Sequence, residues 1–152
     1  MLVSSVLIAL GSAIYDIVSK EIVLSAAGRE SQFSFYAADT GIECALFNDF
    51  KNNLFATTST ATTVTCGGST VNIVTPRTHI NVGVNDPGDI NDETLITTFS
   101  FPIGGILQTL PCATITVTRR YYPIRTTIES AGYNTCVTTN PLRLERAIRV
   151  NY

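Results

Sequence analysis

Residues 1–15 read MLVSSVLIALGSAIY and carry no ionisable side chain; Asp16 is the first charge, followed by Lys20 and Glu21. A run of Leu, Ile, Val and Ala taken out of water is helical, because a helix satisfies its own backbone polar groups. The run is shorter than the roughly 18–20 residues of a spanning helix. A secretory signal peptide needs a basic segment before its apolar run, and nothing basic precedes Leu2. A core helix of a monomer needs partners on every side, since residues 2–15 are apolar almost all round. Those two readings stand as alternatives; the preferred one is a hydrophobic helix that waits in a membrane and later packs against copies of itself.

The helical pattern continues past Asp16. Residues 16 to about 50 lack Pro, and Ile22, Ala26, Phe33, Tyr36 or Ala37, Gly41, Cys44 and Phe47 recur at helical spacings, which predicts one buried stripe. Asp16 and Lys20 stand four apart with the acid first, the favourable order for an ion pair. Asn48, Asp49, Asn52 and Asn53 signal the end. A helix of some 45–50 residues is about 70–75 Å long, more than a domain of 16.4 kDa buries. The sequence therefore divides into a helix over 1–53, with 1–22 projecting and 23–53 packed, and a second region over 54–152.

In that second region the composition turns to Thr and Val. Residues 55–75 predict two short strands around the Cys66-Gly67-Gly68 turn, and His79–Val84 another strand. The stretch 85–93, NDPGDINDE, is a loop by its turn residues. Leu95, Phe99 and Phe101, then Ala113, Ile115 and Val117, then Ile124, Thr126 and Ile128, then Leu142, Leu144, Ile148 and Val150 alternate with polar neighbours. Period two with one polar face describes an antiparallel sheet against a helix, and helix-then-strands order describes an α+β fold. Arg146 breaks the last alternation, which predicts a twist or bulge that carries its head to water; the alternative is a buried ion-pair member.

Over all 152 residues the charged fraction is 14%, the hydrophobic fraction 45% and the net charge −2, with mean hydropathy +0.24. Low charge with ample apolar content excludes a disordered chain. Without a global basic field, no nucleic acid is expected as a partner, although Arg119, Arg120, Arg125, Arg143, Arg146 and Arg149 bias the C-terminal third. Those on one face are expected to meet Asp86, Asp89 and Asp92 of an adjacent subunit, with Arg119, Arg120 and Arg146 as the contacts and Asp16, Lys20 and Glu21 as further intersubunit charges. The acidic loop lacks the spacing of a calcium site. One His and four Cys in no C-x-x-C pair provide no zinc spacing. No acid–base pair suggests an enzyme, and no cofactor or metal is expected.

Cys44, Cys66, Cys112 and Cys136 allow three pairings. The expected one, Cys44–Cys66 with Cys112–Cys136, closes two loops worth about 3 kcal/mol each in the chain-entropy model; the alternative is free buried thiols in a reducing compartment.

Three stretches resemble a known family. They are the unbroken apolar-to-amphipathic helix, residues 28–47 (GRESQFSFYAADTGIECALF), and TIESAGYNTC at 127–136 with RLERAIRV at 143–150. Together these are similar to type IV pilins, and to the PilX-like pilins of bacteria in particular. The resemblance implies a long N-terminal helix on a C-terminal antiparallel sheet and no enzymatic activity. It also implies a precursor held in the cytoplasmic membrane and handled by a prepilin peptidase and the pilus assembly machinery. The product is an extracellular filament of identical subunits serving adhesion or surface motility. The assembly helix would use Leu2, Val3, Val6, Leu7, Ile8, Leu10, Ile14 and Tyr15. A minor or tip pilin, or a membrane-anchored surface-binding domain, is the alternative. The chain departs from the family in having Ser5 where most pilins carry Glu at the fifth mature position. It also lacks a helix Pro, so that any melting in the fibre is expected near Gly11–Ser12.

Overall fold

A computed structural model describes residues 2–56, 59, 61–73, 78–81, 93–105, 110–121 and 124–152. Among these residues, one helix, α1 (Leu2–Asn52), is followed by seven strands. These are β1 (Thr63–Cys66), β2 (Ser69–Asn72), β3 (Thr78–Asn81), β4 (Glu93–Pro102), β5 (Cys112–Tyr121), β6 (Ile124–Tyr133) and β7 (Glu145–Asn151). The architecture is α+β with antiparallel sheets. The strands β3-β4-β5-β6-β7 form one meander in sequence order, and β1-β2 a separate hairpin.

At 51 residues α1 is about 76 Å long, and it is unbroken through Gly11 and Ser12. Its end follows from local chemistry. Asn53 takes a left-handed φ of 49°, a conformation Asn tolerates better than most residues. The Asn53 and Leu54 amides donate back to the carbonyls of Asp49 and Asn48, each at 3.1 Å. Lys51 adds a positive charge where the helix dipole is negative.

The C-terminal half of α1 lies across β5, β6 and β7, while β2 packs on β4. The five-stranded sheet presents Leu95, Thr97, Phe99 and Phe101 of β4, Ala113, Ile115 and Val117 of β5, and Thr126, Ile128 and Ser130 of β6 to the interior. The register places Phe99 opposite Ile115 and Val117 opposite Ile128, so these expected alternations meet on one face. Ile124 is instead exposed at the sheet edge, and Leu142 and Leu144 precede β7 and do not continue its alternation. Phe55, just past the helix, stacks on Phe99 at 5.9 Å and joins Val64, Cys66 and Ile73 of the hairpin in the core. Gly67 and Gly68, both at positive φ, make the hairpin turn. The Cys44–Cys66 disulfide ties that hairpin to the helix.

Three expectations need correction. The buried stripe of α1 is not the one that counts aromatics. It is Ser34, Ala37, Ala38, Gly41, Ile42, Ala45, Asn48 and Asp49, whereas Phe33, Tyr36 and Phe47 are exposed. The cause is proximity. A methyl group on Gly132 would collide with the Ser34 carbonyl and the Ala38 amide, and one on Gly41 with Ser130 Oγ. Only small side chains fit between backbones that close. Packing also starts later than residue 23. Residues 20–29 remain exposed, and the first bonds to the sheet region are Asn134 Nδ2 to Glu30 Oε2 at 3.0 Å and Arg146 Nε to Ser31 Oγ at 2.9 Å. Lastly, β7 pairs with β6 without a bulge from Thr127–Asn151 to Tyr133–Glu145. Arg146 is therefore neither bulged nor a buried ion-pair member; it is exposed and reaches across to the helix.

Candidate assembly surface

The first half of α1 projects from the sheet region with its apolar side chains in the open. Val3, Leu7, Ile8, Leu10, Ile14, Tyr15, Ile17, Val18, Ile22, Val23 and Leu24 are all exposed, from 47% at Val18 to 75% at Val3. The expected side chains of Leu2 and Val6 lie outside the described residues. Nothing beyond the helix itself, among the described residues, comes within 4 Å of where a Cβ on Gly11 or Gly28 would stand, in contrast to the crowded Gly41 and Gly132. None of the chain's own described side chains covers this apolar stretch. Among the described residues, no helix is long and apolar enough to cross a membrane.

The outer face of the packed half adds a second exposed set: Phe33, Phe35, Tyr36, Phe47 and Phe50. Phe50 stacks on Tyr152 at 5.1 Å between ring centres. Ile124 is exposed at the start of β6, and Leu142 ahead of β7. Sequence reasoning assigned Phe33, Phe47 and either Tyr36 or Ala37 to the core; of these only Ala37 is buried, and Phe50 was not singled out. The abundance of Ala and Gly at 37, 38, 41 and 45 was the available signal that the close-packed face is a different one.

The charges sort differently from expectation. The described ion pairs are Arg29–Glu30, Arg119–Asp49 and Arg149–Glu129. The Asp16–Lys20 pair predicted from spacing is not among them, and Asp16, Lys20 and Glu21 are all exposed. Arg119, expected at a subunit boundary, is engaged within the chain. Its Nη1 donates to Asp49 Oδ1 at 3.3 Å while the Tyr152 hydroxyl donates to Asp49 Oδ2 at 2.6 Å. Burial, then the bond to Asp49 and its charge, hold the Tyr152 hydroxyl above its ordinary pKa of 10.0. Arg120 is exposed, one residue on and so on the opposite sheet face. Asp86, Asp89 and Asp92, the expected partners of these arginines, lie outside the described residues.

Of the four cysteines, Cys44 and Cys66 are joined as expected, with Cα atoms 5.7 Å apart. Cys112 and Cys136 are free thiols, which corrects the second expected bond. Proximity is not what separates them. The Cys136 amide donates to the Leu110 carbonyl at 3.1 Å, which draws it to the start of β5. The two thiols line a cavity of about 330 Å³ with Ser100, Phe101, Pro102, Thr114, Thr138 and Arg143. Burial first, then the hydrogen bond and charge of Cys136, push the Cys112 thiol up to about 12. The thiolate needed for exchange is correspondingly scarce at that position. Arg143 lies 3.5 Å above the Tyr133 ring. Among the described residues no group of three His, Cys, Asp or Glu side chains is placed to hold a metal ion. No family model, no characterised protein and no solved structure matches this chain.

Proposed function

We propose that this chain is the structural subunit of an extracellular, type IV pilus-like filament, with the type IV pilin fold, assembling through the projecting half of α1. The observation that carries the reading is that half itself: an unbroken helix with exposed aliphatic side chains on all sides from Val3 to Leu24. Each such side chain is worth roughly 1.5–3 kcal/mol when buried, so a handful of them suffices to drive association. The rod stands at one end of an asymmetric molecule. An interface between unlike surfaces does not close upon itself and generates a helical array. The rods then form the centre of the fibre and the sheets its outer layer. The resemblance to pilins in residues 28–47 and 127–150 agrees with this arrangement, and it adds a lipid-sheltered precursor, a prepilin peptidase and assembly machinery as partners. Adhesion or surface motility is the corresponding role.

The test is direct imaging. The full chain, purified in detergent and then freed of it, is expected to form fibres whose helical reconstruction contains only this polypeptide, with residues 3–24 at the axis. A monodisperse monomer in detergent-free buffer with that segment folded against its own sheet would falsify the proposal. Incorporation only as single copies at the ends of fibres made by another protein would favour the tip-pilin alternative.

A further inference from the structure

Cys112 lies on the face of the sheet turned away from α1. Its neighbour in β5, Ala113, stands against Gly41 of the helix, and successive strand residues point to opposite faces. The register sets Pro102, Cys112 and Tyr133 in one row across β4, β5 and β6 on that outer face. An outer row is ordinarily wet, yet Cys112 is only 8% exposed. Its cover comes from the segment between β6 and β7. The Cys136 amide donates to the Leu110 carbonyl, and turns closed by the Asn140 amide on Val137 and the Arg143 amide on Asn140 bring the chain back towards β7. Between this segment and the strands lies the cavity of about 330 Å³. Its lining runs from the buried Cys112 through the half-buried Cys136 to the exposed Ser100 and Thr138, so a small solute reaches the thiols from outside.

We infer that the Cys112–Cys136 dithiol is a binding site for a soft univalent d10 cation, copper(I), with Arg143 as its counter-charge. Three observations select that ligand. The first is donor geometry: both thiols line one cavity and stand within hydrogen-bond reach of each other. The second is donor number. Among the described residues no third His, Cys, Asp or Glu joins them, so the four-ligand set of a structural zinc site is not assembled. Thiolates are soft donors that select copper(I), and a univalent d10 ion is satisfied by two of them in a linear arrangement. The third observation is charge. As two S–Cu bonds form, both S–H protons leave to solvent, copper keeps its oxidation state, and the unit becomes singly negative. The Arg143 guanidinium stands within hydrogen-bond reach of the Cys112 sulfur and neutralises that charge. It is held in place: its Nε donates to the Thr135 carbonyl at 3.3 Å, and the group lies 3.5 Å above the Tyr133 ring. The site shares no residue with the apolar rod, so it stands independently of assembly.

The experiment uses the full chain in detergent under argon, titrated with silver(I), which has the same charge and closed d shell, and with copper(I) delivered from a competing chelator. One equivalent per chain is expected to bind, with a thiolate-to-metal absorption band in the near ultraviolet. Cys112→Ser and Cys136→Ser should each abolish that stoichiometric site. Arg143→Gln is expected to weaken it about 10–100-fold, the usual cost of losing a group that supports the ligands, and Arg143→Lys to weaken it less. A reading that needs no variant is protection: one equivalent of silver(I) should block alkylation of Cys136 in the unsubstituted chain. The proposal is overturned by a titration without a stoichiometric site, by a site that survives either serine variant, or by a purified chain in which residues 112 and 136 are already joined. Displacement of the bound silver(I) by an equal concentration of zinc(II) would overturn the choice of a univalent ion.

Discussion

Cys112 sits at the first position of β5, and its thiol is held neutral by its surroundings from an ordinary pKa of 9.0 up to about 12. The folded state therefore holds that proton more tightly than the unfolded chain does. Its contribution to stability is complete below about pH 9 and is lost as pH rises through about 12. Tyr152 acts in the same direction, being raised above 10.0 by burial and by Asp49. The expected outcome is a urea midpoint that falls between pH 9 and 12, with a shallower fall in Cys112→Ala, read by circular dichroism across that range. At neutral pH the partly exposed Cys136 is expected to react with a thiol reagent in the native protein, and the buried Cys112 only after denaturation. The Asp49 carboxylate shows how a polar residue is retained inside. It is only 7% exposed, and both its oxygens are taken, one by Arg119 and one by Tyr152. A buried carboxylate without such partners would shift its pKa and neutralise instead.

At the scale of elements, the decisive contact is α1 on β6. Gly132 of β6 approaches the helix backbone at Ser34 and Ala38, and Ser130 points at Gly41. Ser34 Oγ lies 3.0 Å from the carbonyls of both Glu30 and Leu144, so its one hydroxyl proton serves the helix and the approach to β7. Gly132→Ala is expected to cost at least about 1–3 kcal/mol, the range for overpacking an interior that cannot shift. Backbone atoms are the obstacle here, so the effect should exceed that of Gly28→Ala, where nothing lies within 4 Å. Chemical denaturation of both variants tests this, and equal midpoints would contradict the close approach. Among the described residues, Ser130 Oγ and Thr97 Oγ1 are buried without a hydrogen-bond partner. Ser130 Oγ sits where a Cβ on Gly41 would stand, so only glycine fits opposite it at that position of the helix.

For the whole molecule, the two halves of α1 serve separate ends. Residues 30–52 complete the hydrophobic core, whereas among the described side chains of residues 3–29 none belongs to it. Deleting residues 2–28 is therefore expected to leave the thermal midpoint of the remainder within about 2 °C, as for surface changes remote from the core, while abolishing sedimentable polymer. Calorimetry and ultracentrifugation read the two outcomes. A large loss of midpoint would show that the rod supports the sheet region, contrary to its exposure.

The division between what was legible in the chain and what was not follows from the range of the forces involved. Helix continuity, the stop at Asn53, the turn at Gly67-Gly68 and the alternating strands were all readable, because each depends on backbone preference and on neighbours a few residues away. So was the projection of the N-terminal rod, because a continuous helix of about 50 residues is longer than one domain of this mass can surround. Which face of α1 turns inward was decided only in three dimensions. Hydrophobicity favoured Phe33, Tyr36 and Phe47, but β6 presents Gly132 and Ser130 at backbone distance, so the small side chains went inside and the aromatics were left outside. The partners of Arg119 and Arg146 were likewise fixed by long-range register, which brings Asp49 and Ser31 to them from 70 and 115 residues away.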